Sequence, residues 1–318
     1  MKVGFVGVGD QGAPMAERVL GAGYELLVYA RRPEVRAHFA ELGAEVVGAP
    51  AALGACELVE VCVVDDHQVE EVLVRGGIVE AMAPGGLVAI HSTIHPDTCV
   101  RIGGVAEKYG VGLLDAPVSG GSKGARAGRL VTLVGGDRVA FERCRPVFEA
   151  FGMPIYLGPL GSGQLAKLLN NVFVTVQMAL SFELARSAKE MDLDLEGLSR
   201  ALPGCTAASW VLSQYAASGF THLAPLLAPG REHTIRMLEK DVGIFEDVAN
   251  QRGLNAELIR GLSAYALELL RQGGSLVYDP AVDLAEYTRR IAVLDTSTVS
   301  ETDSSITSGI NEISRELV

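Results

Sequence analysis

Positive charge is scarce in this sequence. Its 27 lysines and arginines face 39 aspartates and glutamates, a formal net charge of −12 at pH 7. Sequence-independent nucleic-acid binding needs clustered cations to neutralise phosphates, and a lipid-surface anchor needs a polybasic segment. Neither is expected here. Cysteine is sparse too. Cys56, Cys62, Cys99, Cys144 and Cys205 are odd in number, widely spaced and form no C-x-x-C pair. That argues against a disulfide frame or a zinc site and fits reduced thiols in a cytoplasmic protein. No uninterrupted run of about 18 apolar residues occurs, so no membrane span is expected. The apolar start MKVGFVGVGDQGAPMA is interrupted by glycines and Asp10 too early for a secretory core. No internal repeat is visible, and no metal site is expected.

What is present is apolar content on a rhythm. The 318 residues are 48% hydrophobic, and the mean hydropathy is +0.26, enough for one large core or two ordinary ones. In the first half, short β-branched runs (KVGFVG, ELLVYA, AEVV, LVEVCVV, GLVAIH, GVGLLDA, LVTLVGG, PIYLG) alternate with helical stretches. That alternation predicts an α/β domain with a mainly parallel, doubly wound sheet of the Rossmann type. After Gly161 the strand signals stop, and helical patterns broken by Gly and Pro predict an all-α C-terminal domain. The expected division is a dinucleotide-binding domain over 1–160, an all-α substrate and dimerisation domain over 161–294, and a polar tail over 295–318. The tail opens with the Ser/Thr-rich DTSTVSETDSSITSG and reads as a flexible tether.

The first strand runs into Gly7-x-Gly9-x-x-Gly12 and then a helix. Those glycines serve a tight turn, close backbone approach to a pyrophosphate, and close packing of helix on strand. The helix N-terminus then binds the phosphates. A plain glycine turn would read similarly, but this one stands at the first strand-to-helix turn, the context the fingerprint requires. About 20 residues later, NAD-binding folds usually offer an acidic residue to the ribose. This chain has Arg31 and Arg32 instead. A guanidinium matches a 2′-phosphate in charge and fork geometry, so NADP (NADPH) is expected over NAD. Two solvated surface arginines would leave the same letters.

A second anion cradle is suggested by Ser119-Gly120-Gly121, preceded by Pro117. Consecutive backbone N–H groups there can converge on a small carboxylate, although an ordinary loop reads the same way. His91 and His95 close a strand on the same edge. Pro96 makes a helical metal pair improbable, and both read as ordinary histidines.

Four segments together resemble one family, the β-hydroxyacid dehydrogenases, whose members include 3-hydroxyisobutyrate dehydrogenase, tartronate semialdehyde reductase and glyoxylate/succinic semialdehyde reductases. They are GVGDQGAPMA (7–16), DAPVSGGSKGARAGRL (115–130), GSGQLAKLLNN (161–171) and KDVGIFEDVANQRG (240–253). The resemblance implies that Ser119, Gly120 and Gly121 hold a substrate carboxylate, that Lys167 is the catalytic acid–base, and that Asn171 orients the substrate beside it. It places Thr93 near the nicotinamide and Lys240 near cofactor and substrate. It also implies a homodimer or homotetramer built through the helical domain. Asn170, one residue off the Lys167–Asn171 face, reads as structural or catalytic with equal ease. The chain departs from the family in Asp10-Gln11 within the first glycine motif, in Val242-Gly243-Ile244-Phe245 after the Lys-Asp pair, and in His233 where an aromatic is common.

The function expected is hydride transfer between a nicotinamide cofactor and a short 3-hydroxy acid or its semialdehyde. Alternatives are a decarboxylating relative of 6-phosphogluconate dehydrogenase, an imine reductase, or a non-catalytic cofactor-binding module.

Overall fold

Strand and helix alternate along the first half of the chain as the apolar rhythm predicts. The computed structural model describes residues 1–220 and 231–272; the tail over 295–318 lies outside them. Nine strands, β1 (Lys2–Val6), β2 (Glu25–Tyr29), β3 (Glu45–Val47), β4 (Leu58–Val61), β5 (Leu87–Ile90), β6 (Gly112–Asp115), β7 (Val118–Ser119), β8 (Leu130–Gly136) and β9 (Gly152–Gly158), form one sheet. Its order is β3-β2-β1-β4-β5-β6-β8-β7, with β9 also paired to β8. The first six strands run parallel; β8 is antiparallel to β6 and β7.

Every residue of β4 and β5 is buried, which is the mark of a parallel strand covered on both faces. Side chains divide between two cores with the period of two that a strand imposes. Val3 and Phe5 enter one cluster, whereas Val6, Val59 and Val61 enter the other. The strand order reverses beside β1, and in open α/β sheets ligands collect at the carboxyl ends around such a reversal.

The helices are α1 (Gly12–Gly21), α2 (Pro33–Glu41), α3 (Asp66–Glu70), α4 (Ile78–Ala81), α5 (Pro96–Glu107), α6 (Gly121–Arg126), α7 (Arg138–Phe148), α8 (Ser162–Glu190), α9 (Leu195–Ala201), α10 (Trp210–Ala217), α11 (Arg231–Gln251) and α12 (Glu257–Arg271). Val118–Ser119 and Gly121–Arg126, which lie outside every strand and helix expected from the sequence, form β7 and α6. Glycine and serine are poor helix formers; a backbone bond from Gly124 N to Gly120 O closes the turn at 3.1 Å.

The chain divides into two compact units, Met1–Thr175 with Glu232–Leu254, and Val176–Arg231 with Asn255–Val318. Within the second, Tyr215 is fully buried and its ring meets Phe182 and Phe220 edge-on at 5.1 and 5.5 Å. Tyr265 donates its hydroxyl to Glu183.

Among the described residues, α8 alone is long and apolar enough to cross a membrane, by length and composition only. Its first turns are instead tied to the sheet, as befits a core helix. Gln164, Leu168, Val172 and Thr175 are buried along one side, the spacing of a helix face. The Asp115 carboxylate at the end of β6 accepts from Gly161 N at 2.8 Å and Gln164 N at 2.7 Å. A residue 46 to 49 positions earlier therefore satisfies donors that the start of a helix leaves unpaired. A Cβ on Gly163 would come within 2.2 Å of the Leu133 carbonyl oxygen, so only glycine allows this contact.

Candidate active site

The three fingerprint glycines have separable reasons. Gly7 has φ +91, and a Cβ there would lie 2.2 Å from the Cys62 carbonyl oxygen. A Cβ on Gly12 would lie 2.2 Å from Gly7 O. Both positions are fixed by close packing of β1, β4 and α1. Gly9 differs, because a Cβ there would meet nothing within 4 Å. It leaves backbone open beside the start of α1, whose first turn holds no acidic residue. Beside it, Gln11 Nε2 is buried with no hydrogen-bond partner among the described residues. Open backbone, a helix N-terminus and a spare donor fit a pyrophosphate-bearing dinucleotide.

Arg31 and Arg32 follow β2, whose last residue Tyr29 pairs with Val6 at the end of β1. The sheet therefore brings both arginines to the edge that carries the glycine turn. Both are exposed. Arg32 Nε lies 3.7 Å from Glu34, a solvent-exposed pair that screening makes weak.

Lys167 and Asn171 stand one turn apart on α8. Lys167 is half-buried, and its ammonium has no hydrogen bond or ion pair among the described residues. Burial draws its pKa down from 10.5 to about 8; the charge of Asp241 opposes the shift, and that of Lys240 adds to it. Asn171 is held from two sides. Its Nδ2 donates to Asp241 Oδ2 at 2.6 Å, and its Oδ1 accepts from Asn170 Nδ2 at 2.9 Å. The Asn170 side chain thus braces the Asn171 amide.

Asp241 on α11 is almost fully buried. Its other oxygen lies 3.2 Å from Lys240 Nζ. Lys240 also donates to Thr93 O at 2.5 Å and Val64 O at 3.2 Å, so one ammonium joins the segments that follow β4 and β5. Gln164 fixes the second of these segments, accepting from Ile94 N at 3.1 Å and donating to Ser92 O at 2.8 Å. Sequence reasoning missed Asp115, Gln164 and Asp241. Each stands in a segment already singled out, over 115–130, 161–171 and 240–253, but its partners are distant in sequence.

Ser119 ends β7 and pairs with Val131. Gly120 and Gly121 follow with φ +128 and +62, and a Cβ on Gly121 would meet no atom within 4 Å. The Ser119 turn leaves β6 only a few residues after Asp115, the carboxylate that caps α8. Cradle and lysine helix are thereby tied to one strand end. His233, on α11, is exposed.

The family model described as the NAD binding domain of 6-phosphogluconate dehydrogenase matches residues 2–160. The model described as NAD-binding of NADP-dependent 3-hydroxyisobutyrate dehydrogenase matches residues 161–276. An NAD-dependent L-serine dehydrogenase of Pseudomonas aeruginosa is 33% identical over 281 residues, covering 86% of this chain and 93% of its own. The 3-hydroxyisobutyrate dehydrogenase of the same organism is 34% identical, over 82% of this chain and 89% of its own. The chain belongs to the β-hydroxyacid dehydrogenase family.

The solved structure of Mycobacterium tuberculosis 3-hydroxyisobutyrate dehydrogenase with L-serine shares this β-hydroxyacid dehydrogenase fold. Its TM-score is 0.73 at 26% identity, covering 92% of this chain and 99% of that one. The chain is thus an NAD-binding oxidoreductase of the 3-hydroxyisobutyrate dehydrogenase type. In the segment after the Lys-Asp pair, Val242 and Phe245 are core residues. Their departure from the usual β-hydroxyacid dehydrogenase wording is therefore a change of packing.

Proposed function

We propose that this chain interconverts a short 3-hydroxy acid and the matching semialdehyde, with NADPH favoured over NADH and Lys167 as the acid–base. The observation that carries the reading is the half-buried Lys167 ammonium, without a partner among the described residues and with its pKa drawn down to about 8. A lysine so tuned exchanges a proton near working pH. When bound, the dinucleotide supplies the hydride acceptor for oxidation and the hydride donor for reduction.

On this reading Gly7, Gly9 and Gly12 admit the pyrophosphate, and Arg31 and Arg32 face the adenosine 2′-phosphate. Thr93 and Lys240 shape the floor beside the nicotinamide, since their contact joins the two strand-end segments. Ser119, Gly120 and Gly121 hold the substrate carboxylate. Asn171, braced by Asn170 and Asp241, orients the hydroxyl that gives its proton to Lys167. Fixing both ends of a short substrate supplies the orientation that such a reaction needs. The 3-hydroxy acid class is supported by relatives named for L-serine and 3-hydroxyisobutyrate. Leu169, Phe173 and Leu180 leave an exposed apolar stripe on α8, which supports a homodimer or homotetramer.

The pH dependence of turnover tests the lysine. Oxidation needs the neutral amine, so kcat/KM should rise with pH through about 8 and level off above. Reduction needs the ammonium and should fall through the same range. Profiles flat from pH 7 to 9 in both directions would remove Lys167 from the proton transfer. The arginines are tested by Arg31→Asp combined with Arg32→Ala. Losing charge-assisted bonds to a phosphate should lower the NADPH-to-NADH ratio of kcat/KM by roughly 10- to 100-fold. An unchanged ratio would remove both from cofactor selection.

A further inference from the structure

β4 and β5 are neighbouring strands buried on both faces, yet each brings an ionisable side chain into the sheet. Glu60 lies within β4, and His91 directly follows β5. Neither side chain is exposed. Burying such groups is expensive, and an apolar pair would fill the space at lower cost. Glu60 Oε1 has no hydrogen-bond partner among the described residues, which adds to that cost.

The geometry shows what the pair holds. His91 Nδ1 lies 2.7 Å from Ala116 O, and Nε2 is in hydrogen-bond contact with Glu60 Oε2. A carbonyl oxygen only accepts, so Nδ1 carries a proton. The contact with the Glu60 carboxyl group occupies the ring's other nitrogen, Nε2. Phe5 stacks on the imidazole at 6.5 Å, and Phe148 and Phe151 meet it edge-on at 5.7 and 5.6 Å. Glutamate and aromatic rings together fix both the tautomer and the plane of the ring.

Ala116 is fully buried and stands at the root of the turn to Ser119, Gly120 and Gly121. Its N–H donates to Ile90 O at 2.8 Å, and its carbonyl accepts from His91. The next residue, Ser92, accepts from Val63 N through its hydroxyl at 2.9 Å and from Gln164 on α8 through its carbonyl. Two consecutive residues thus anchor the cradle's root and the helix that carries Lys167.

We propose that Glu60 and His91 are positioning residues for substrate-carboxylate binding, acting through the Ala116 carbonyl. The role rests on the assignment of Ser119, Gly120 and Gly121 to the carboxylate. Glu60 keeps the imidazole proton on Nδ1, Nδ1 fixes Ala116, and Ala116 sets the cradle's distance from Lys167.

Two double variants of the full chain test this. Glu60→Leu with His91→Phe keeps ring and volume but leaves Ala116 O without its donor. Glu60→Leu with His91→Asn places an amide N–H where Nδ1 stood. The first should raise KM for the carboxylate substrate roughly tenfold, the scale of one hydrogen bond. Its kcat should stay within about threefold and its KM for NADPH within about twofold. The second should keep the substrate KM within about twofold of the parent. Amide hydrogen exchange over residues 116–124 should quicken in the first and match the parent in the second, and this readout does not depend on turnover. A parent without turnover, but with the expected exchange pattern, would fail the carboxylate reading and leave the Ala116 anchor standing. If the first variant does not fold, the second decides alone, since a raised KM or quickened exchange there overturns the proposal. So does identical behaviour of the two variants, or a parallel rise of substrate and NADPH KM.

Discussion

Lys167→Ala should lower kcat by roughly 10²- to 10⁴-fold, the range that positioned acid–base groups contribute. NADPH binding should change little, because Gly7, Gly9, Gly12, Arg31 and Arg32, proposed to hold its phosphates, lie where β1 and β2 lead into their following helices. The loss should fall on kcat more than on substrate KM, since proton transfer is felt in the transition state. The rate should also lose its pH dependence near 8, because the group drawn to that value is gone. Lys167→Arg should rescue little: a guanidinium stays protonated and cannot serve as a base. Steady-state kinetics in both directions, with cofactor titration by fluorescence, separate these effects. A variant retaining most of its turnover would remove the lysine from the chemistry.

Asp115→Ala should destabilise the fold without touching the reacting atoms. Its carboxylate accepts two backbone N–H groups at the start of α8. Burial pushes the carboxyl's pKa up, opposed by those same backbone bonds. Removing it leaves two buried donors unpaired, a loss of roughly 3–5 kcal/mol. For a chain of this size that corresponds to a fall in Tm of roughly 5–7 °C. Since α8 carries Lys167, kcat should fall as well, with cofactor affinity nearly kept. Calorimetry with parallel kinetics checks both, and an unchanged Tm would show that Asp115 does not anchor the helix.

These two residues differ in how far they could be read from the chain. Lys167 sits in a segment whose wording carries its own meaning, as do Gly7, Gly9 and Gly12, because fixed spacings along one turn or one helix are local facts. Asp115 opens the segment 115–130, but nothing local marks its capping task. Its partners are 46 and 49 residues away, and only the packing of β6 against the start of α8 joins them. Asp241 and Asn171 are 70 apart for the same reason. Glu60 was hidden in LVEVCVV, which reads as an ordinary strand. Its pairing with His91 depends on β4 lying beside β5, a register that single strands do not announce. His91 reads as an ordinary histidine at a strand end, and only the carbonyl on one side and the carboxyl on the other give it a task. The short β7 and the glycine-rich α6 lacked the length and propensity that would mark them before folding.

The most direct test of the central claim is nicotinamide turnover by purified protein, measured spectrophotometrically. NADPH and NADH should each be offered with glyoxylate, succinic semialdehyde, tartronate semialdehyde and methylmalonate semialdehyde, with the parent and Lys167→Ala side by side. The parent should oxidise NADPH faster than NADH with at least one of these carboxylated aldehydes, and Lys167→Ala should abolish most of that rate. Turnover by the parent that Lys167→Ala leaves intact, or no turnover with any short carboxylated aldehyde or its 3-hydroxy acid, would contradict the claim.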